Sequence, residues 1–251
     1  MPKCLMSCLA VLISTIPCFA QSEPPSPYYS RGNSFGVFTA YSNDSSHILL
    51  GASEDRKLLE FGVSYSRRLL QNRIVNWQYD GELLPVALES DPVLHVTEQE
   101  LLPVPGAVSS FSFIPYAACH AGSGIDTYTL SGVVFSFKYV NTCGRQWTIG
   151  EGMSPVGFRW NFTPRRRWQP LIEGHGGYMY STQPIPVLQA GNFNFTFDMG
   201  AGVEIFRPKR AKSQQSVRAE YRYHHISNHD TAGANPGIDN GVIQVTYVFG
   251  R

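Results

Sequence analysis

The stretch FNFTFDMGAGVEIF, residues 193–206, decides the fold of this chain of 251 residues. Its odd-numbered positions all carry apolar side chains, whereas its even-numbered positions up to residue 204 are polar, charged or glycine. Successive side chains of a β-strand point to opposite faces, so a period of two predicts a strand with one apolar face and one polar face.

The same alternation recurs along the chain. It is found in residues 34–41, 59–65, 75–80, 156–162, 172–180, 217–223 and 243–249. The strands of a soluble β-sandwich also alternate. Their water-facing positions, however, are rarely rich in glycine when the apolar positions are so aromatic. The sequence therefore predicts an all-β fold, an eight-stranded antiparallel transmembrane β-barrel whose apolar side faces lipid.

Charged residues on the polar parity should face the barrel interior and pair with one another. These residues are Glu60, Asp80, Arg159, Asp198, Glu204, Arg218, Glu220 and Arg222. Short turns at 69–72, 163–168 and 207–215 then alternate with outer loops at 43–56, 84–153, 181–192 and 228–240. Residues 165–167 and 209–212 make two of the turns basic, which indicates a solvated face.

Residues 1–20 have the pattern of a secretory signal peptide, which leaves residues 21–251 for the barrel. The insertion at 84–153, between strands three and four, is interpreted as an outer loop with its own hairpin around 133–140. The alternative is that the insertion adds two strands to make a ten-stranded barrel. Cys119 and Cys143 either form a disulfide or remain free thiols. With 20 basic and 19 acidic residues, the chain lacks the excess of positive charge that would indicate a nucleic-acid partner.

A candidate catalytic group lies at the end of the seventh predicted strand. His225 and Ser227 share the outward face there, and residues two apart on a strand are about 6 to 7 Å apart, so imidazole and hydroxyl can meet. Asp239 has the same parity on the next strand and could orient His225. The alternative is that these are ordinary polar residues at headgroup level, and a one-residue slip in register would exchange His225 with His224.

Residues 221–228, YRYHHISN, and residues 235–239, NPGID, resemble the C-terminal signature of the outer-membrane lipid A 3-O-deacylases, some of which are called acyloxyacyl hydrolases. The resemblance implies an eight-stranded barrel with a Ser-His-Glu triad at its outer-leaflet end. By position it assigns the nucleophile to Ser227, the base to His225, the acid to Asp239 and an oxyanion contact to Asn228. Two departures are Asp239 in place of glutamate and Asp230 in place of glycine.

The resemblance, together with the strand pattern and the signal peptide, implies a serine esterase in the outer membrane of a Gram-negative bacterium. It would remove the ester-linked 3-O acyl chain from lipid A of lipopolysaccharide, with outer-membrane lipid around it and no metal or other cofactor. The alternative is a non-catalytic barrel for adhesion or surface display. A diffusion pore is disfavoured because eight strands leave a filled interior.

Overall fold

The computed structural model of the protein describes residues 28–103, 105–106, 108–208 and 214–251. The strands are β1 Asn33–Ser42, β2 Lys57–Gln71, β3 Val75–Leu102, β4 Val108–Phe113, β5 Gly122–Leu130, β6 Val133–Phe162, β7 Trp168–Ser181, β8 Phe193–Phe206, β9 Gln214–Ser227 and β10 Ile238–Gly250. Among these residues no helix is long and apolar enough to cross a membrane. The predicted signal peptide lies outside the described residues.

Eight of these strands close a ring. Neighbouring strands pair antiparallel in the order β3-β2-β1-β10-β9-β8-β7-β6, and the additional pairing of β6 with β3 completes the circle. β1 meets β10 from Ser34 opposite Gly250 to Tyr41 opposite Ile243. The predicted eight-stranded antiparallel barrel is confirmed, and the ten-stranded alternative is wrong because β4 and β5 lie outside the ring.

The two faces of the ring differ as the alternation predicts. Outward side chains such as Phe35 and Val37 are more than half exposed, and all eight charged residues predicted to face inward are buried. Arg159 and Arg218 both contact Asp80, and Arg222 contacts Glu82. A charge removed from water needs such a partner, so the interior is a paired polar network.

Residues 84–153 are mostly strand, so the predicted outer loop is wrong, whereas the hairpin predicted around residues 133–140 is confirmed by the antiparallel pairing of β5 with β6. β3 continues to Leu102 and β6 begins at Val133, and the two strands pair beyond the barrel from Pro92 opposite Arg145 to Leu102 opposite Ser136. β4 adds to β3 and β5 adds to β6. We call β4, β5 and residues 92–102 and 133–145 the outer sheet. Almost every residue of β4 and β5 is exposed, so no alternation of polarity marked them as strands.

A disulfide fastens the outer sheet internally. Cys119, in the connection between β4 and β5, is bonded to Cys143 on β6, 24 residues further along the chain. The disulfide alternative for these two cysteines is thereby confirmed. The bond ties the β4–β5 connection to the strand that descends into the barrel.

Arg56 joins three outer segments at the mouth of the barrel. Its side chain is fully buried, and Nε donates to Asp91 Oδ1 at 3.0 Å. Its other donors reach the carbonyl oxygens of Glu54, Tyr116, Pro115 and Pro186. The planar guanidinium thus connects the β1–β2 loop, the β4–β5 connection and the β7–β8 loop. Nothing in the sequence pattern singled it out.

Arg56→Met should destabilise the folded protein by about 3–5 kcal/mol, because it leaves the Asp91 carboxylate buried without its partner. The measurement is urea unfolding in detergent, in which the folded fraction is monitored by its heat-modifiable mobility in gel electrophoresis. Arg145→Met is the matched control, since Arg145 binds Asp55 at 2.9 Å in a partly exposed pair. Equal losses of stability in the two variants would contradict the role given to Arg56.

Candidate active site

The outer ends of β9 and β10 bring the predicted site residues to one face. In the register of the two strands Asp239 lies opposite His225. Residues of the same parity point outward, as Tyr221 and Ile243 show by being 61% exposed. His225, Ser227 and Asp239 therefore share the outward parity at the end of the barrel where the long connections lie, and His224 points inward.

The carboxylate of Asp239 is held by four donors. Oδ1 lies 2.6 Å from His225 Nδ1 and accepts from Tyr223 Oη at 2.8 Å. Oδ2 accepts the backbone amides of Leu49 at 2.7 Å and Leu50 at 2.8 Å. The Asp239 side chain is fully buried, and His225 is largely buried. Aspartate reaches His225 without the additional methylene of glutamate because the two residues face each other directly across the strands.

Asp239 lies beyond the exposed apolar side chains of β10, which begin at Ile243. Burial by itself raises the pKa of the Asp239 carboxyl group, but the hydrogen bonds from the amides of residues 49–51 and from His225 outweigh it and lower the pKa to about 2. The group is consequently an anion at neutral pH. An anion here favours the tautomer of His225 that carries its proton on Nδ1 and leaves Nε2 free to accept one.

The β1–β2 loop covers Asp239 so closely that residue 51 must be glycine. A methyl group on Gly51 would lie 2.6 Å from the backbone nitrogen of Asp239 and 2.9 Å from its Cγ. Real Cβ atoms do not approach backbone this closely, so a side chain would push the loop away. Sequence reasoning missed this loop because it contributes backbone amides, which have no signature in the side-chain pattern.

Gly51→Ala should lower the predicted esterase activity by about 10- to 100-fold, the range expected when hydrogen bonds to a charged group are lost. The measurement is the rate of fatty-acid release by folded protein in detergent. Gly122→Ala is the matched control, because a methyl group at Gly122 would meet nothing within 4 Å. Unchanged activity in Gly51→Ala would show that the loop does not hold Asp239.

The hydroxyl group of Ser227 is engaged by residues of the β9–β10 loop. It donates to Asn235 Oδ1 at 3.0 Å and accepts the amide of His229 at 3.1 Å. No hydrogen bond joins Ser227 to His225 in the described structure. Asn235 also accepts the amide of Asn228 and so fixes the turn after β9. Sequence reasoning assigned Asn235 no role, because a loop asparagine carries no distinguishing pattern.

The side chain of Asn228 bridges two loops. It is buried, and its Nδ2 donates to the carbonyl oxygens of Ala190 and Ala234, the latter at 2.6 Å. Both amide hydrogens are thus in use, and the side chain holds the β7–β8 and β9–β10 loops against the end of β9. In this conformation Asn228 shapes the turn beside Ser227 and does not point a free donor at it.

The turn after Asn228 takes a left-handed backbone conformation. φ is 53° at His229 and 58° at Asp230. Glycine adopts this conformation most readily, and aspartate is among the few other residues that tolerate it. Thr231 stabilises the turn by bonding the carbonyl oxygen of Asn228 through its hydroxyl at 2.7 Å. Asp230 therefore occupies the backbone conformation for which glycine would be the ordinary choice.

Exposed apolar side chains flank the outward surface that carries His225, Ser227 and Asp239, which we call the His225 face. Leu49 and Leu50 are 69% and 68% exposed in the loop that holds Asp239, and Phe195 and Phe197 are exposed on β8. Phe195 lies opposite Ser227 and Phe197 lies opposite His225 in the strand register. The polar side chains of the His225 face thus lie within an apolar surface that suits hydrocarbon chains.

Acidic and histidine side chains close enough to share a metal ion lie elsewhere among the described residues. One group is Asp80, Glu173 and His175, and the other is Glu82, His175 and Asp198, both inside the barrel. The guanidinium groups of Arg218 and Arg222 already contact these carboxylates. The outward site does not include either group.

The sequence of residues 124–248 matches the family model of the lipid A 3-O-deacylases, PagL. That half of the chain runs from β5 into β10 and contains Asn228 together with the His225 face. The chain belongs to this family. Its relatives deacylate lipid A, and the likeness of residues 221–239 to the family signature is thereby explained.

Two solved structures are remotely similar to this lipid A deacylase. One is described as the outer membrane enzyme PagL, at 14% identity over 85% of this chain and 97% of that chain, with a TM-score of 0.45. The other is LpxR from Salmonella typhimurium, at 6% identity over 87% and 100% of the two chains, with a TM-score of 0.23. No curated protein matches the deacylase significantly.

Proposed function

We propose that this deacylase is a serine esterase of the Gram-negative outer membrane that removes the acyl chain ester-linked at the 3 position of lipid A. The observation that carries the proposal is the direct contact of Asp239 with His225 Nδ1 at 2.6 Å, on the same outward face as Ser227. A buried carboxylate, an oriented imidazole and a hydroxyl two residues further on make up the set that acyl transfer requires.

The reaction would begin with a change of rotamer at Ser227. Its hydroxyl group leaves Asn235 and turns toward His225 Nε2, the nitrogen that Asp239 leaves free. Ser227 Oγ then bonds to the ester carbonyl carbon while its proton passes to Nε2. Asp239 stabilises the imidazolium that forms.

Collapse of the tetrahedral intermediate breaks the bond to the 3-oxygen of lipid A, which takes the proton from His225 and leaves as a hydroxyl group. Water then attacks the acyl enzyme, with His225 as the base, and releases a 3-hydroxy fatty acid and free Ser227. The amide of His229, 3.1 Å from Ser227 Oγ, is the proposed backbone donor to the oxyanion. Asn228 contributes by holding the turn that carries this amide.

Substrate would reach the site from the outer leaflet, where lipopolysaccharide lies. The acyl chains would pack on the apolar surface of Leu49, Leu50, Phe195 and Phe197, and the ester would lie at the level of Ser227. Because the site faces outward, lipid A could be cleaved without leaving the membrane.

The test is mass spectrometry of lipid A from a Gram-negative host that expresses the protein, compared with the host carrying an empty vector. We expect loss of one 3-hydroxyacyl mass, and fragment spectra should assign it to position 3. Loss from another position would contradict the 3-O specificity, and an unchanged profile with folded protein would favour the non-catalytic barrel.

A further inference from the structure

Exposed arginines and exposed carboxylates lie at opposite ends of the barrel. At the end with the short turns, seven arginines are exposed and one is half-buried. These are Arg67, Arg73, Arg165, Arg166, Arg167, Arg207 and Arg251, with Arg68 half-buried. We call them the arginine end. The exposed Asp and Glu side chains among the described residues, Asp44, Asp126, Glu151 and Asp230, all lie at the other end.

The arginine end lacks neutralising partners of its own. The Asp and Glu side chains nearest to it among the described residues, Glu204 and Asp80, are buried and paired with Arg31 and Arg159. None of the eight arginines forms a salt bridge with a described residue. Arg68 and Arg207 bond to glutamine side chains, and Arg167 bonds to a backbone carbonyl. Such a concentration of unpaired guanidinium groups fits an anionic ligand from outside the chain.

Arg67 is the member of this set that faces lipid. It has the outward parity of Val63, Tyr65 and Leu69 on β2 and forms no hydrogen bond with a described residue. In the strand register Arg67 lies opposite Tyr79, which lies opposite Phe158. A guanidinium on the lipid side is costly within hydrocarbon and tolerated at headgroup depth, where phosphate can bind it.

An apolar groove adjoins Arg67 on the outside of the barrel. It has a volume of about 510 Å³ and is lined by Tyr65, Arg67, Arg68, Leu69, Tyr79 and Phe158. The groove thus combines the guanidinium group of Arg67 with aromatic and aliphatic walls. Phosphate bound by the guanidinium group of Arg67 would leave an attached hydrocarbon chain free to follow the walls toward the membrane centre.

We propose that the arginine end is a binding site for an anionic phospholipid of the inner leaflet, with Arg67 on its phosphate and the groove along its acyl chain. Short connections mark the periplasmic end of outer-membrane barrels, so this end meets the inner leaflet. The site is separate from the His225 face, which lies at the opposite end of β9. The bound lipid would anchor the barrel at a fixed depth and hold the His225 face level with the outer leaflet.

The test is native mass spectrometry of the full-length protein in detergent, titrated with phosphatidylglycerol and with phosphatidylcholine of the same chains. We expect phosphatidylglycerol to bind more tightly and Arg67→Gln to weaken it about tenfold, the effect of losing one charged hydrogen-bonding contact. Replacing Arg165, Arg166 and Arg167 together by glutamine should also weaken it. The matched control is Lys138→Gln, which removes an exposed positive charge on the outer sheet and should change nothing.

Equal binding of the two lipids by the wild-type protein, or undiminished binding by Arg67→Gln, would overturn the proposal. Glycerol phosphate, which has the anion without the chains, should not displace the lipid at equal concentration; effective displacement would overturn the assignment to a lipid. Binding is measured without turnover, so this result does not depend on whether the protein is an esterase.

Discussion

Ser227→Ala should lower release of fatty acid from lipid A by about 10³-fold or more, since the bond to the ester carbonyl cannot form without the hydroxyl group. His225→Ala should cause a loss of similar size, because in the proposed mechanism Ser227 depends on His225 as its base. The measurement is the lipid A mass spectrum of expressing cells together with the rate of fatty-acid release by purified protein.

Two matched variants test whether these losses are specific. Ser109→Ala removes an exposed hydroxyl group from β4 and should leave activity unchanged. His224→Gln replaces the neighbouring imidazole, which points into the barrel near Glu60, and should retain activity if the protein folds. A loss in His224→Gln with an active His225→Ala would reverse the assignment of the two histidines and refute the outward site.

Asp239→Asn should lower the turnover rate by about 10²- to 10⁴-fold, because the amide cannot stabilise the imidazolium and disturbs the tautomer of His225. The four contacts of Asp239 sharpen this expectation. Every group that meets the carboxylate is a donor, whether it comes from Leu49, Leu50, Tyr223 or His225. In either orientation, the NH₂ group of asparagine would therefore face a donor.

Further variants separate charge from packing at this position. Tyr223→Phe removes one donor and keeps the carboxylate, so its loss should be much smaller than that of Asp239→Asn. Asp239→Glu restores the acid of the family signature, yet the close approach of Gly51 leaves no room for another methylene, and we expect about a tenfold loss. An Asp239→Asn variant as active as the wild type would remove Asp239 from the mechanism.

The sequence predicted the parts of the protein that depend on local alternation. The eight barrel strands and the buried ion pairs follow from the period of two, because one face of each strand meets lipid and the other meets a closed interior. The same parity placed His225 and Ser227 outward. Within the outer sheet the sequence predicted the hairpin around residues 133–140 but not β4 or the extension of β3, where no contrast of polarity marks a strand.

Contacts between distant segments were decided only by the tertiary structure. The strand register set Asp239 directly against His225, and the β1–β2 loop brought the amides of Leu49 and Leu50 to a carboxylate about 190 residues away in the chain. Arg56 likewise gathers carbonyl groups from three loops. Backbone groups are the same at every residue, so the side-chain pattern could predict His225 and Asp239 as partners but not the loop whose amides hold the Asp239 carboxylate in place.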